Sequence, residues 1–274
     1  MKKIDQVRAK GDRELEASLL ARPEVKKTIE AFERNADQIG ARRQLLGTSL
    51  RLLPEMAPNL HRSIRECEES LGMDQPIEVY VYPSASFNAA AVRPENGMLF
   101  VMFSSSLLEA FDAQELKFVI GHELGHHYYE HHRIPVGVIT QSQEAMSPSV
   151  ALEIFAWQRH AEISCDRAGL LCTNSLDSAA NALFKLSSGL SKYDLKISMD
   201  QFIEQAGELR REVELSAASD ESPRQDWFSS HPFSPLRLVA AKHFMESELM
   251  NGATRAADLE SQVEDLMGEM SPSY

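Results

Sequence analysis

The chain has 274 residues, 43% of them hydrophobic and 25% charged, enough to bury a sizeable core in one large domain or two small ones. Its net charge of −13 sits almost wholly in the second part: residues 1–75 carry 14 Lys and Arg against 13 Asp and Glu, and the remainder carries 14 against 28. So acidic a surface repels phosphate backbones, which disfavours a nucleic-acid partner, and the longest apolar run, Met98 to Leu108 with three serines, is far short of the roughly 20 residues a membrane span requires.

The start, Met1-Lys-Lys-Ile-Asp-Gln-Val-Arg8, is basic but lacks an apolar h-region, so no signal peptide is expected and the sequence reads as cytoplasmic. Cys67, Cys165 and Cys172 have no framework spacing and read as reduced thiols. Residues 2–72 read as helical with two breaks. Val25, Ile29 and Phe32 share one face behind Pro23, which sits where a first-turn proline is tolerated. A later helix, Asn59 to Leu71, stops at Gly72. Lys26-Lys27 and Arg42-Arg43 read as solvated faces, with an acidic partner as the sharper alternative. The expected organisation is a helical element at 1–75 packed on a catalytic domain at 76–250, then an acidic helix or tail at 251–274.

Gln75-Pro-Ile-Glu-Val-Tyr-Val-Tyr-Pro83 reads as a strand from its β-branched and aromatic content, and Met98-Leu-Phe-Val-Met-Phe103 as a second, reached through a turn at Pro94-Glu-Asn-Gly97. After a short helical turn at Leu107 to Phe111 comes a helix with Leu116, Val119, Ile120 and Leu124 at helical spacing; Asp112 is its expected N-cap and Glu115 completes a capping box.

That helix carries His122-Glu123-Leu-Gly-His126. Positions i and i+4 lie one turn apart on one face, so the two imidazoles can converge on one zinc ion, with Glu123 placed beside them to take a proton from a metal-activated water. Five letters are weak evidence without a third ligand. The stretch Trp157-Gln-Arg-His-Ala-Glu-Ile-Ser-Cys-Asp-Arg-Ala-Gly169 offers one: Glu162 can ligate the zinc, and Asp166, one turn on, can accept the outward N–H of a ligand histidine. Two His, one Glu and a water make the open site of a catalytic zinc. Arg159 is expected to pair with a carboxylate on that face, and Cys165 to be a small buried side chain. His127, His131 and His132 read as structural or surface residues.

Residues 135–148 lack periodicity and read as a connector between the two metal helices, with a lid as the alternative. Amphipathic helices follow at Ser178 to Leu190 and Asp200 to Leu215, then a polar loop ending in Trp227-Phe-Ser-Ser-His-Pro-Phe-Ser-Pro-Leu-Arg237 and a helix at Leu236 to Leu249. In the tail, Leu259, Val263, Leu266 and Met267 recur at helical spacing; packing on the domain is expected, with a partner-binding helix as the alternative.

Taken together, His-Glu-Leu-Gly-His-His, the later Arg-x-x-Glu-x-x-x-Asp-Arg-Ala-Gly, the late His-Pro with a following Arg, and Asn88-Ala-Ala-Ala91 resemble the gluzincin peptidases of the HtpX, Oma and CAAX prenyl endopeptidase family, over roughly Ile77 to Phe244. The chain departs from many members in having no membrane-spanning helix. The resemblance implies a zincin-like α+β fold, mostly helical, with a small, largely antiparallel sheet beside the metal helix. It also implies one Zn²⁺ per chain, a zinc metalloendopeptidase activity and a polypeptide substrate bound in extended form along an edge strand. That role falls on one of the two strands read above, so Met98, Leu99, Phe100 and Val101 are candidates alongside Asn88 and Ala89. His231 would face the zinc, and His231 or Arg237 would stabilise the oxyanion. A rival reading makes His231 a fourth ligand that plugs the zinc in a latent binding or chaperone-like module. The intact Glu123 favours the enzyme, since a scaffold has no physical need of a general base.

Overall fold

The computed structural model of the chain describes residues 2–36, 40–141, 147–191, 199–218 and 233–268. The N-terminal part holds helices α1 (Lys3–Val7), α2 (Lys10–Ala21), α3 (Pro23–Ala36) and α4 (Ala41–Thr48), a short strand β1 (Leu50–Leu52), and α5 (Pro58–Leu71), closed by Gly72 in the left-handed conformation. Strands β2 (Ile77–Tyr82), β3 (Ala89–Glu95) and β4 (Met98–Ser104) follow, then α6 (Ser105–Ala110) and the histidine-bearing α7 (Ala113–Tyr128). The rest is helical: α8 (Val136–Gln141), α9 (Pro148–Thr173), α10 (Leu176–Ser188), α11 (Met199–Ala218), α12 (Ser234–Met245) and α13 (Ala256–Gly268).

The sheet has the order β1-β2-β4-β3 and, with two of its three pairings antiparallel as expected, refines the sequence reading in three ways. It is mixed: β1 and β3 pair antiparallel with their neighbours, but β2 and β4 are parallel, because the chain runs out along the edge as β3 and the hairpin returns β4 between β3 and β2. The hairpin turns on Asn96 and Gly97, both with φ above +50°, the pairing a two-residue type I′ turn needs to match strand twist. Second, Leu50-Arg-Leu52, within the stretch read as helical, is a strand: α4 ends at Thr48, Ser49 is extended, and the next three residues pair with β2. Third, Ala89–Glu95 is the edge strand although its alanines carry little β-propensity. Within the connector at 135–148, Val136–Gln141 forms α8.

One hydrophobic cluster runs through all three expected regions. Ile4 and Val7 of α1, Leu60 and Ile64 of α5, Val101 and Phe103 of β4, Phe118 and Ile120 of α7, Leu236 of α12 and Leu259 and Val263 of α13 are all buried in it. The N-terminal and C-terminal helices therefore pack into the same core as the metal helices, and residue 75 separates no two cores.

Two close approaches set the positions of the functional helices. Where α7 crosses α9, a Cβ on Gly121 would lie 2.6 Å from Cys172 Sγ and 2.9 Å from the Gly169 Cα, so only paired glycines allow the two backbones to come this near. Where α2 crosses α9, a Cβ on Gly11 would lie 2.4 Å from His160 Nδ1. The first contact carries Glu162 to the histidines of α7; the second carries Asp12 beneath them.

Candidate metal centre and cleft

Helix α7 begins as its sequence demands. Asp112 Oδ1 accepts from the amides of Gln114 (2.8 Å) and Glu115 (2.9 Å), while Glu115 Oε2 accepts from the Asp112 amide (2.8 Å), closing the capping box. Two and a half turns on, His122, Glu123 and His126 reach the floor of a cleft. Glu162 enters from α9: its Oε2 lies 3.4 Å from His122 Nε2 and its Oε1 3.4 Å from His126 Nε2. Ligands about 2.0–2.2 Å from a tetrahedral zinc stand roughly 3.4 Å apart, and one ligand atom from each of His122, His126 and Glu162 lies within 4.8 Å of the others, a donor set that suits that ion.

Each histidine is held from behind. His122 Nδ1 lies 3.0 Å from Asp166 Oδ1, and Asp166 is in turn gripped by both Nε (2.8 Å) and Nη2 (2.6 Å) of Arg237 from α12. Burial alone would raise the Asp166 carboxyl; the Arg237 charge and the bond to His122 hold it below its ordinary value. An ionised Asp166 requires the His122 proton on Nδ1, leaving Nε2 free for a metal. On the other side, His126 Nδ1 lies 3.0 Å from His131 Nδ1, and His131 Nε2 lies 3.2 Å from Asp12 Oδ2 of α2. Burial, opposed by Asp12, keeps His131 below its ordinary value.

Glu123 is buried beside the histidines, and its Oε2 accepts from the amide of Ala91 on β3 at 2.6 Å. Asn88 O accepts from the Ser104 amide on β4, and N–H and C=O groups alternate along an antiparallel strand, so the polar groups of Ala89 and Ala91 point to the unpaired side. One cavity follows that edge past Ala89 to Val92, His122, Glu123 and His126. A second continues it past Phe87, Phe118, Val119 and Leu183 to Ser187, Ser234 and Arg237.

Several expectations are adjusted by this arrangement. Met98, Leu99, Phe100 and Val101 lie on β4, paired on both sides, with Leu99, Phe100 and Val101 buried; they offer no edge, and the open edge is β3. Ala89 and Asn88 both line the cleft, and the Asn88 side-chain amide donates to the Tyr82 hydroxyl at 2.9 Å. Arg159 is buried, its guanidinium lowered to about 10 by burial, and the Arg237 guanidinium lies 3.3 Å from Glu162. Arg237 is thus engaged by two carboxylates behind the ligands. His127 is structural, its Nε2 bonded to the Phe100 carbonyl at 2.9 Å. The Cys165 thiol is buried and pushed up to about 12 by that burial, although His126, His131 and Cys165 lie close enough together to suggest a second metal group. His231 lies outside the described residues. Ala91, His131 and Asp12 were missed: Ala91 acts through its backbone, His131 sits in an undifferentiated histidine run, and Asp12 looks like one more charge on a polar helix.

The sequence model of peptidase family M48 matches residues 54–245, most of the chain and all of the residues just described except Asp12. The chain belongs to peptidase family M48. Among curated proteins it is 28% identical over 170 residues to the plastoglobule-localized metallopeptidase 48 of Arabidopsis thaliana, covering 59% of this chain and 49% of that protein. It is 33% identical over 75 residues to a protease HtpX homolog of Sulfurihydrogenibium sp. (strain YO3AOP1), covering 27% of this chain and 25% of that one. The chain thus spans about half the length, or less, of these relatives. No solved structure matches. Membership places the chain among metal-dependent peptidases, and no helix among the described residues is long and apolar enough to cross a membrane.

Proposed function

We propose that this M48 protein is a zinc-dependent endopeptidase whose metal is held by His122, His126 and Glu162. The observation that carries the reading is that both histidine Nε2 atoms lie 3.4 Å from separate oxygens of Glu162 with Glu123 beside them. When bound, zinc supplies Lewis-acid chemistry, acidifying a water and polarising a peptide carbonyl.

The remaining work falls on this chain's own groups. An extended polypeptide adds to the edge of β3, where the Ala89 backbone and the Ala91 carbonyl offer sequence-independent hydrogen bonds. One wall of the neighbouring cavity, Phe87, Phe118, Val119 and Leu183, gives an apolar side chain next to the cut a surface to pack on. Glu123 takes the proton of the attacking water and returns it to the leaving amine, and the Ala91 amide holds its carboxylate in line. Arg237, committed to Glu162 and Asp166, positions ligands, and the oxyanion falls to His231.

The test is incubation with zinc and an unstructured protein such as casein, beside the Glu123→Gln variant, with fragments read by mass spectrometry. Cleavage by the wild type, with loss of roughly 10²–10⁴-fold in Glu123→Gln at unchanged zinc content, is expected. Equal cleavage by both proteins would remove Glu123 from the mechanism.

A further inference from the structure

Asp12 is a fully buried carboxylate with an unusual set of partners. Its Oδ1 accepts from Arg8 Nη2 (2.9 Å) and Trp157 Nε1 (3.1 Å), and its Oδ2 from Arg8 Nε (2.8 Å), Ser164 Oγ (2.7 Å) and His131 Nε2 (3.2 Å). So many donors, one of them a guanidinium, fix it as an anion that can only accept. The consequence propagates. His131 carries a proton on Nε2, facing Asp12, and a His126 that offers Nε2 to a metal carries its own proton on Nδ1, so the His131 Nδ1 between the two is a lone pair. That lone pair lies 3.0 Å from His126 Nδ1 and accepts from it, with the Cys165 thiol 3.6 Å away as the other donor in reach. His126 is thereby held with its proton on Nδ1 and its Nε2 lone pair turned toward Glu162 and the metal position.

We propose that Asp12, acting through His131, is a positioning residue of the metal centre that sets the tautomer and ring orientation of His126. It lies outside residues 54–245 that match the family, so the N-terminal helix supplies a part of the centre that the matched region lacks. The arrangement is built rather than incidental: Gly11, next to Asp12, lets α2 approach α9 where any side chain would strike His160, and the Ala9 amide donates to Ser164 Oγ at 3.0 Å, locking the same turn. Trp157 stands edge-on to the His131 ring at 5.7 Å between centroids and limits its rotation. The inference rests on the zinc reading above, and its test separates the two.

Zinc affinity is measured by competition with a chromophoric chelator for the wild type, Asp12→Ala, His131→Phe, the double variant and His131→Asn, each checked for folding by thermal melting. One tight zinc per wild-type chain is expected, weakened roughly 10–100-fold in Asp12→Ala and in His131→Phe. The double variant should lose no more than His131→Phe alone, and His131→Asn, which keeps an acceptor toward His126, should recover part of the loss. Unchanged affinity in folded Asp12→Ala, or additive losses in the double variant, would overturn the relay. Two zinc ions per chain would also overturn it, since His126, His131 and Cys165 would then be a second metal group. A wild type that binds no zinc would instead sink the peptidase reading. Long-range ¹H–¹⁵N spectra of the zinc-loaded wild type need no variant: His131 should be the Nε2–H tautomer, and an Nδ1–H tautomer contradicts the proposal.

Discussion

The two histidine ligands are supported differently, although they sit one turn apart on one helix. His122 leans directly on a carboxylate, Asp166, on the neighbouring helix, and that carboxylate is gripped by Arg237; every member lies within the stretch shared with the family. His126 reaches its carboxylate only through His131, and that carboxylate, Asp12, comes from a helix outside the shared stretch. The difference teaches that a metal-binding motif specifies ligands and leaves the source of their support open: any buried anion that a packed element can deliver will fix a tautomer.

The comparison can be broken most severely at Glu162, the group both arms meet. Glu162→Ala removes a ligand and leaves Arg237 facing the histidines, and the purified variant should retain no zinc through gel filtration. Retention of a full equivalent would mean that the two arms do not converge on one ion. Next in size is Asp166→Asn, which keeps the shape but loses the charge that orients His122. Zinc affinity should fall roughly 10–100-fold, at least as far as in Asp12→Ala, because Asp166 contacts its ligand without an intermediary.

The helix contacts behind each arm can be tested separately. Gly121→Ala places a Cβ 2.9 Å from the Gly169 backbone and should cost about 1–3 kcal/mol of stability, read as a lower melting temperature. Gly11→Ala drives a Cβ into the His160 ring and should lower both the melting temperature and zinc affinity, since α2 carries Asp12 with it. A Gly11→Ala protein with the wild-type melting temperature would show that the close approach is not required.

The smallest effect belongs to the sheet, remote from both arms. Arg42 first, then Tyr80 and Arg51, hold the Glu78 carboxyl at about 2 against an ordinary 4.5. A depressed carboxylate stabilises the fold above its unfolded value and loses that contribution as pH falls from 4.5 toward about 2. Glu78→Gln should therefore melt slightly lower than wild type at neutral pH, with the gap closing across that window and zinc affinity unchanged; a constant gap down to pH 2 would contradict the assignment.

The sequence made one arm legible and concealed the other. His122, His126, Glu162 and Asp166 recur at i and i+4 on two helices, so helical geometry alone brings them to common faces, and the capping box at Asp112 marked where the first helix begins. Asp12 had no such signature, because its partner lies 119 residues away and nothing local distinguishes a buried aspartate from a solvated one in Lys-Gly-Asp-Arg-Glu. The sheet failed for a related reason. Strands β2 and β4 announce themselves through β-branched and aromatic residues, but β3 is held by pairing with β4 and by the Glu123 bond to its backbone, which side-chain propensity does not report. The edge was therefore sought on strands that are in fact interior.

The most direct test of the account is X-ray absorption at the zinc edge on the protein loaded with one equivalent. His122, His126 and Glu162 as ligands predict a shell of nitrogen and oxygen alone at roughly 2.0–2.2 Å. A sulfur scatterer at about 2.3 Å would place the ion on Cys165 with His126 and His131, and would contradict the assignment of the centre.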